Sequence, residues 1–167
     1  DDDDGAWQYL GDHINGDASL QLKAHNIAMS KKEKVIYNQG GISISAISVH
    51  HGPIPAIAYR INVGKKSVTF SGDMNGDYHT LEKLGSKTDI LVMHNAVPKN
   101  ARGVAAKLHM TPIIIGEIAK KAEAKSIVIS HRMLRTLGKE SSTKSEIRKN
   151  YKGTITFADD KSFYKIK

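Results

Sequence analysis

The sequence predicts an α/β domain with its elements in α+β layers, and three observations carry that expectation. The first half holds apolar, β-branched runs punctuated by glycine-containing turns. The second half alternates short apolar runs with helix-length segments bounded by start and stop signals. Two apolar runs, Ser67-Val-Thr-Phe-Ser-Gly-Asp73 and Ser126-Ile-Val-Ile-Ser-His131, end abruptly on a metal-capable side chain. A group at the end of a strand is held still, because the backbone of a sheet cannot drift.

Residues 20–27 alternate apolar and polar side chains and are expected as a first strand. Residues 34–37 and 42–49 flank Asn38-Gln-Gly-Gly41, a turn signal, and read as a hairpin. Ile42, Ile44, Ala46 and Ile47 keep period two with one shift, which predicts a bulge in that strand. Residues 56–63 and 67–70 are strands joined through Gly64-Lys65-Lys66. A helix is expected over 78–84, stopped by Gly85, and then a buried strand over 89–93. Residues 95–108 show no clear periodicity and read as a loop leading from a strand end, a place where function commonly sits. Thr111 caps and Pro112 opens a helix to residue 124, since proline suits the first helical turn. Residues 126–130 form another buried strand. Ser142 and Glu146 lie near capping-box spacing at the start of a helix over 142–150. Residues 154–157 and 162–166 close the chain as short strands. The order is therefore a β-meander followed by βαβαβ-like alternation, the pattern of a layered domain.

Composition narrows the function classes. A chain of 167 residues is long enough for one domain with its own core. No apolar run approaches the roughly 20 residues that span a bilayer, so no membrane partner is expected. The chain has no initiator Met and opens on four aspartates, so it is expected to be a piece of a longer protein. With zero cysteines, any metal must be held by His, Asp, Glu, backbone or water. The same absence leaves cytoplasm and periplasm equally open. The net charge of +8 favours anionic partners, RNA included. The basic clusters, Lys31-Lys32-Glu33-Lys34, Lys120-Lys121 and the 139–152 segment, are scattered, and aromatic content is only 6%. A solvated lysine-rich surface is therefore the plainer reading.

Among single residues, Asp73 offers two carboxylate oxygens and follows Gly72, which permits a tight turn at the sheet edge. Its plain alternative is a turn or N-cap aspartate. His131 offers an imidazole, a common metal donor, against a satisfied strand-end histidine. His109 lies beside a helix start, where the dipole favours anionic groups. His94 follows a buried strand and either orients a ligand or serves structure. His50 and His51 precede Gly52-Pro53, and one of them is placed facing the cleft. His13, His25 and His79 read as surface residues, Arg60 as a surface or ion-pair residue, and Met93, Met110 and Met133 as core fillers.

Five motifs in order resemble the C-terminal half of a metallo-β-lactamase-fold hydrolase: His50-His-Gly-Pro-Ile-Pro-Ala-Ile-Ala-Tyr-Arg-Ile61, Ser67-Val-Thr-Phe-Ser-Gly-Asp73, Thr88-Asp-Ile-Leu-Val-Met-His94, Leu108-His-Met-Thr111 and Ile127-Val-Ile-Ser-His131. The intervals from Asp73 and from His109 to His131 resemble those of the ribonuclease Z and arylsulfatase-like branch. The resemblance implies one half of an αβ/βα sandwich holding one or two zinc ions, with manganese or iron as alternatives. Asp73 would be the bridging carboxylate and His131 a metal ligand. His109 would act on the scissile group, and His94, Arg135 and His51 would serve substrate binding or ligand orientation. The family's His-x-His-x-Asp-His signature does not occur in the chain, so the N-terminal metal-motif half is expected to be absent and the chain inactive alone. The branch's His-Glu-Ala-Thr element reads His94-Asn-Ala-Val97 here, which turns the expectation from tRNA processing to a hydrolase of an ester, phosphodiester or related bond. Expected partners are a small-molecule or phosphodiester substrate, RNA, and either a second copy or the chain's own N-terminal half. The competing expectation is a basic nucleic-acid-binding or assembly module on a degenerate hydrolase fold.

Overall fold

A computed structural model describes residues 25–166. One seven-stranded sheet runs in sequence order: β1 (Lys34–Gln39), β2 (Ile42–His51), β3 (Ile54–Val63), β4 (Lys66–Phe70), β5 (Ile90–His94), β6 (Ser126–Ser130) and β7 (Thr154–Phe157). The strands from β1 to β4 pair antiparallel, and those from β4 to β7 pair parallel. Parallel neighbours need crossovers, and each crossover is helical. The helix α1 (Leu81–Leu84) precedes β5, α2 (Gly103–Leu108) and α3 (Pro112–Lys121) precede β6, and α4 (Glu140–Arg148) precedes β7.

The pleat sorts side chains by period two. Leu91, Met93, Ile127 and Ile129 are fully buried with Leu81, Leu84, Ile115, Ile118 and Ala119 of the helices. Their alternating neighbours Ile90, Val92 and Val128 join Val68 and Phe70 along an apolar groove, which Tyr164 and Ile166 also line. At the N-terminal edge of the parallel strands, Asp89 accepts from Ser67 N at 2.7 Å and from Lys125 Nζ at 2.7 Å, which ties β4, β5 and β6 together. The Lys125 ammonium and the Ser67 donors hold the Asp89 carboxyl below its usual range against the opposing effect of burial. Nearby, Tyr151 donates to Ala124 O at 2.9 Å, and burial pushes its hydroxyl up to about 12.

Several sequence expectations are corrected by local physics. The strand expected over 20–27 lies mostly outside the described residues, and 25–27 form no strand. The bulge falls in β1 rather than β2: Val35 faces Ser45 and Tyr37 faces Ile44, with the register shift between them. An exposed edge strand absorbs an extra residue more easily than one paired on both sides. The 78–84 helix shrinks to one turn, because His79 has φ of +52° and buried Thr80 donates its hydroxyl to Ser48 O. The region 95–108 contains α2, whose six residues include no fully buried one and so show no apolar stripe. The α3 helix stops at Lys121, followed by Glu123 at φ of +52°. The α4 helix starts at Glu140, and Glu146 pairs with Lys99 and Lys149 instead of closing a capping box. Residues 162–166 form no strand. Met93 and Met110 are core residues, whereas Met133 is exposed. Arg60 is half-buried and caps α1 by donating to the Leu84 and Ser86 carbonyls. Among the described residues, no helix is long and apolar enough to cross a membrane.

The approach of α3 to α4 depends on a missing side chain. A Cβ at Gly116 of α3 would stand 2.6 Å from the Ile147 carbonyl oxygen of α4, which is backbone and cannot swing away. Alanine gains about 1 kcal/mol in helix propensity, yet overpacking typically costs about 1–3 kcal/mol. Gly116→Ala is expected to destabilise the fold in urea unfolding; equal or greater stability would show that α3 and α4 are free to separate.

Candidate metal centre

The strand directions decide where the site lies. Because β2 and β4 both run antiparallel to β3, β2, β4, β5 and β6 share one direction. Their C-terminal ends therefore lie at one edge, the usual place for a site on an open sheet. His51 is the last residue of β2, Asp73 follows β4 by three residues, His94 ends β5 and His131 immediately follows β6. His109 arrives separately, as the residue that ends α2 just before α3.

Donor atoms of His51, Asp73 and His109 all lie within 4.8 Å of one another. His131 Nε2 is 3.5 Å from Asp73 Oδ2. The rings of His51 and His94 lie 5.0 and 5.3 Å from that of His109. The structure thus gathers Asp73, His131, His109, His94 and His51 at one place. Arg135 is exposed on the loop after His131 and contributes positive potential at His109. His50, the neighbour of His51, turns instead to Asn75, Asp77 and Tyr78. The resemblance sets His51 beside the substrate or behind a ligand, and the apolar pattern of β2 ends at Val49, whereas the strand continues to His51. Carrying the strand two residues further would have given His51 the same strand-end position as His131.

Backbone geometry fixes several of these groups. Gly72 turns the chain before Asp73 with φ of +59°, and a Cβ there would stand 2.6 Å from the Ile57 carbonyl oxygen. His131 itself takes φ of +46°, so its ring leaves β6 at a sharp turn. The next residue, Arg132, pairs with Glu140 and Asp159 and donates to Ala158 O, anchoring the loop to α4 and to the segment after β7. His51 Nδ1 lies 2.9 Å from Leu108 O. A carbonyl only accepts, so Nδ1 carries the proton and Nε2 presents its lone pair.

The donor set fits a divalent cation bound by nitrogen and oxygen. Burial lowers the His94 pKa from 6.5 to about 4, with Asp73 opposing and His109 and His131 adding to the shift. Burial also lowers that of His109, again against Asp73, with His51, Arg135 and His131 reinforcing it. Both rings are held neutral, the form that donates a lone pair. His94 Nε2 and His109 Nδ1 are buried with no protein partner, and a buried polar atom without a partner calls for a ligand or water. His51, Asp73 and His131 could hold the ion, with a His109 nitrogen in the same 4.8 Å cluster, while His94 packs against His109 with its Nδ1 3.4 Å from Ser71 Oγ.

The depressed His94 pKa sets a pH dependence. Between pH 6.5 and 4 the unfolded chain binds a proton at this residue and the folded chain does not. Stability of the metal-free protein is therefore full above pH 6.5 and falls as pH drops toward 4, by up to about 1.4 kcal/mol per pH unit. Denaturant unfolding across that range in the presence of a chelator should show a shallower slope for His94→Gln; an unchanged slope would mean that His94 takes up its proton in the folded state.

Comparison with known proteins bears on this arrangement. The model of the beta-lactamase superfamily domain matches residues 4–132. The fold is shared with the metallo-beta-lactamase fold protein YhfI from Bacillus subtilis, at 21% identity and a TM-score of 0.63, over 74% of this chain and 49% of that one. It is shared with the short form of human tRNase Z, at 20% identity and a TM-score of 0.61, over 82% and 47%. Yeast PDE1 matches at 14% identity and a TM-score of 0.61, over 87% and 50%. The chain spans about half the length of each of these structures, and at such identities the likeness is one of fold. No curated protein matches the sequence. With this match and this sheet, the chain belongs to the beta-lactamase superfamily domain family and has the metallo-beta-lactamase fold.

Proposed function

We propose that this chain carries part of the active site of a metal-dependent hydrolase that cleaves an ester, phosphodiester or related bond. The observation that supports it most is the convergence of His51, Asp73 and His109 donor atoms within 4.8 Å, each from a different segment. Zinc is the proposed ion, since neutral imidazoles and a carboxylate suit it; manganese and iron accept the same donors. Further donors of a two-ion site would come from the part of the fold that this chain does not span, and catalysis would need that part.

When bound, a divalent ion supplies Lewis acidity and a water of lowered pKa. The chain's residues divide the remaining work. Asp73 holds the centre with one carboxylate, flanked by His51 on β2 and His131 after β6. His51 is aimed by its bond to Leu108 O. His109, kept neutral by burial, donates an N–H to the charge that develops on the substrate oxygen. His94 backs the His109 ring, and exposed Arg135 draws the anionic part of the substrate toward the edge. The net charge of +8 favours a phosphodiester over a neutral ester. RNA would then bind as a substrate, and its binding would weaken steeply with salt.

Three variants separate these roles. Zinc affinity is read by competition with a chromophoric chelator, and turnover by hydrolysis of bis(p-nitrophenyl) phosphate by the full-length protein. Asp73→Ala and His51→Ala are expected to lose zinc. His109→Ala should keep zinc and lose about 100-fold or more in turnover. An Asp73→Ala protein that retained both zinc and turnover would refute the proposal.

A further inference from the structure

We propose that Asn75 is the positioning residue that holds His51, Asp73 and His109 in one geometry. The proposal rests on the reading of that cluster as part of a metal-dependent active site. Asn75 lies two residues after Asp73 and is only 7% exposed, and its side chain reaches two other segments. Its Nδ2 is 2.7 Å from Lys107 O in α2, 2.9 Å from Asp77 Oδ2 and 2.8 Å from His50 Nδ1. Its backbone N–H donates to His50 O at 2.8 Å.

Hydrogen-bond accounting fixes the arrangement. An amide nitrogen has two hydrogens. The Lys107 carbonyl and the Asp77 carboxylate can only accept, so both hydrogens go to them. His50 Nδ1 is then left as a donor, shared by Asp77 Oδ2 at 3.3 Å and Asn75 Oδ1 at 3.1 Å. That oxygen also accepts from Asp77 N–H at 3.0 Å. The side chain is thereby fully satisfied, and no alanine, aspartate or leucine reproduces the set.

The bonds to His50 and to Lys107 end beside members of the cluster. His50 is the neighbour of His51. Lys107 precedes Leu108, whose carbonyl takes the His51 Nδ1 proton, and His109 follows directly. The end of β2, the loop after β4 and the end of α2 are thus joined through one amide, and each carries one residue of the cluster. Without it, those segments keep only the His51 bond to Leu108 O and the backbone bond from Asn75 N–H to His50 O, and a donor set displaced by a fraction of an ångström binds metal less tightly.

The test compares Asn75→Ala, Asn75→Asp and Tyr151→Phe in the full chain. Aspartate keeps the size and the acceptor oxygen but cannot donate to Lys107 O and repels Asp77. Tyr151→Phe removes a buried hydrogen bond at the opposite edge of the sheet. Zinc affinity is expected to fall about 10–100-fold in both Asn75 variants and to stay at the wild-type value in Tyr151→Phe. In the metal-free protein, the ring-nitrogen resonances of His51 and His109 are expected to move or broaden in the Asn75 variants and not in Tyr151→Phe. Unchanged resonances in Asn75→Ala, or equal zinc loss in Tyr151→Phe, would overturn the proposal. A wild-type chain that bound no zinc would refute the metal reading instead, and the metal-free resonances would still decide the role of Asn75.

Discussion

The site depends on one topological constraint: four strands of a single sheet end at the same edge. Because strand order follows sequence order and β2 runs with β4, β5 and β6, every loop leaving those strands opens on that edge. The chain needs only a suitable residue at each strand end to build a cluster. It places His51, Asp73, His94 and His131 there, and α2 delivers His109 from the side. The opposite edge is held by the Asp89, Ser67 and Lys125 bonds and by Tyr151 on Ala124 O, so both ends of the parallel strands are fixed by side-chain hydrogen bonds.

Electrostatics follows from that placement. Strand ends that pack against α2 and α3 bury imidazoles, and burial disfavours the charged ring. His94 and His109 are therefore neutral around an ionisable carboxylate, and two of their nitrogens have no protein partner. A group of neutral nitrogen donors around one anion is complementary to a cation, whereas protonated rings would repel it. The same burial that stabilises the core thus keeps positive charge away from the centre. The cost is two unsatisfied polar atoms, which a core built for stability alone would avoid.

Much of this was legible in the sequence, for physical reasons. Buried parallel strands are short apolar runs, so 126–130 and 154–157 were located to the residue. The abrupt change from apolar to ligand-type residues marked Asp73 and His131. The α2 helix was missed because it buries no residue fully and carries no periodic stripe. His51 was underweighted because the ladder to β3 continues to the His51 and Ile54 pair, and pairing with a neighbour extends a strand beyond what its own apolar pattern shows. The hub at Asn75 was invisible for a further reason. Its partners Lys107 and His50 are 32 and 25 residues away, and nothing local encodes an amide's bonds to distant carbonyls.

In the proposed function, Asp73, His51 and His131 are direct ligands of one metal centre. X-ray absorption at the zinc edge of the zinc-loaded chain tests it most directly. The expected spectrum has a first shell of nitrogen and oxygen at about 2.0–2.1 Å, with the outer-shell scattering of at least two imidazole rings. A first shell of oxygen alone, without imidazole scattering, would contradict the claim and place the zinc elsewhere on the protein.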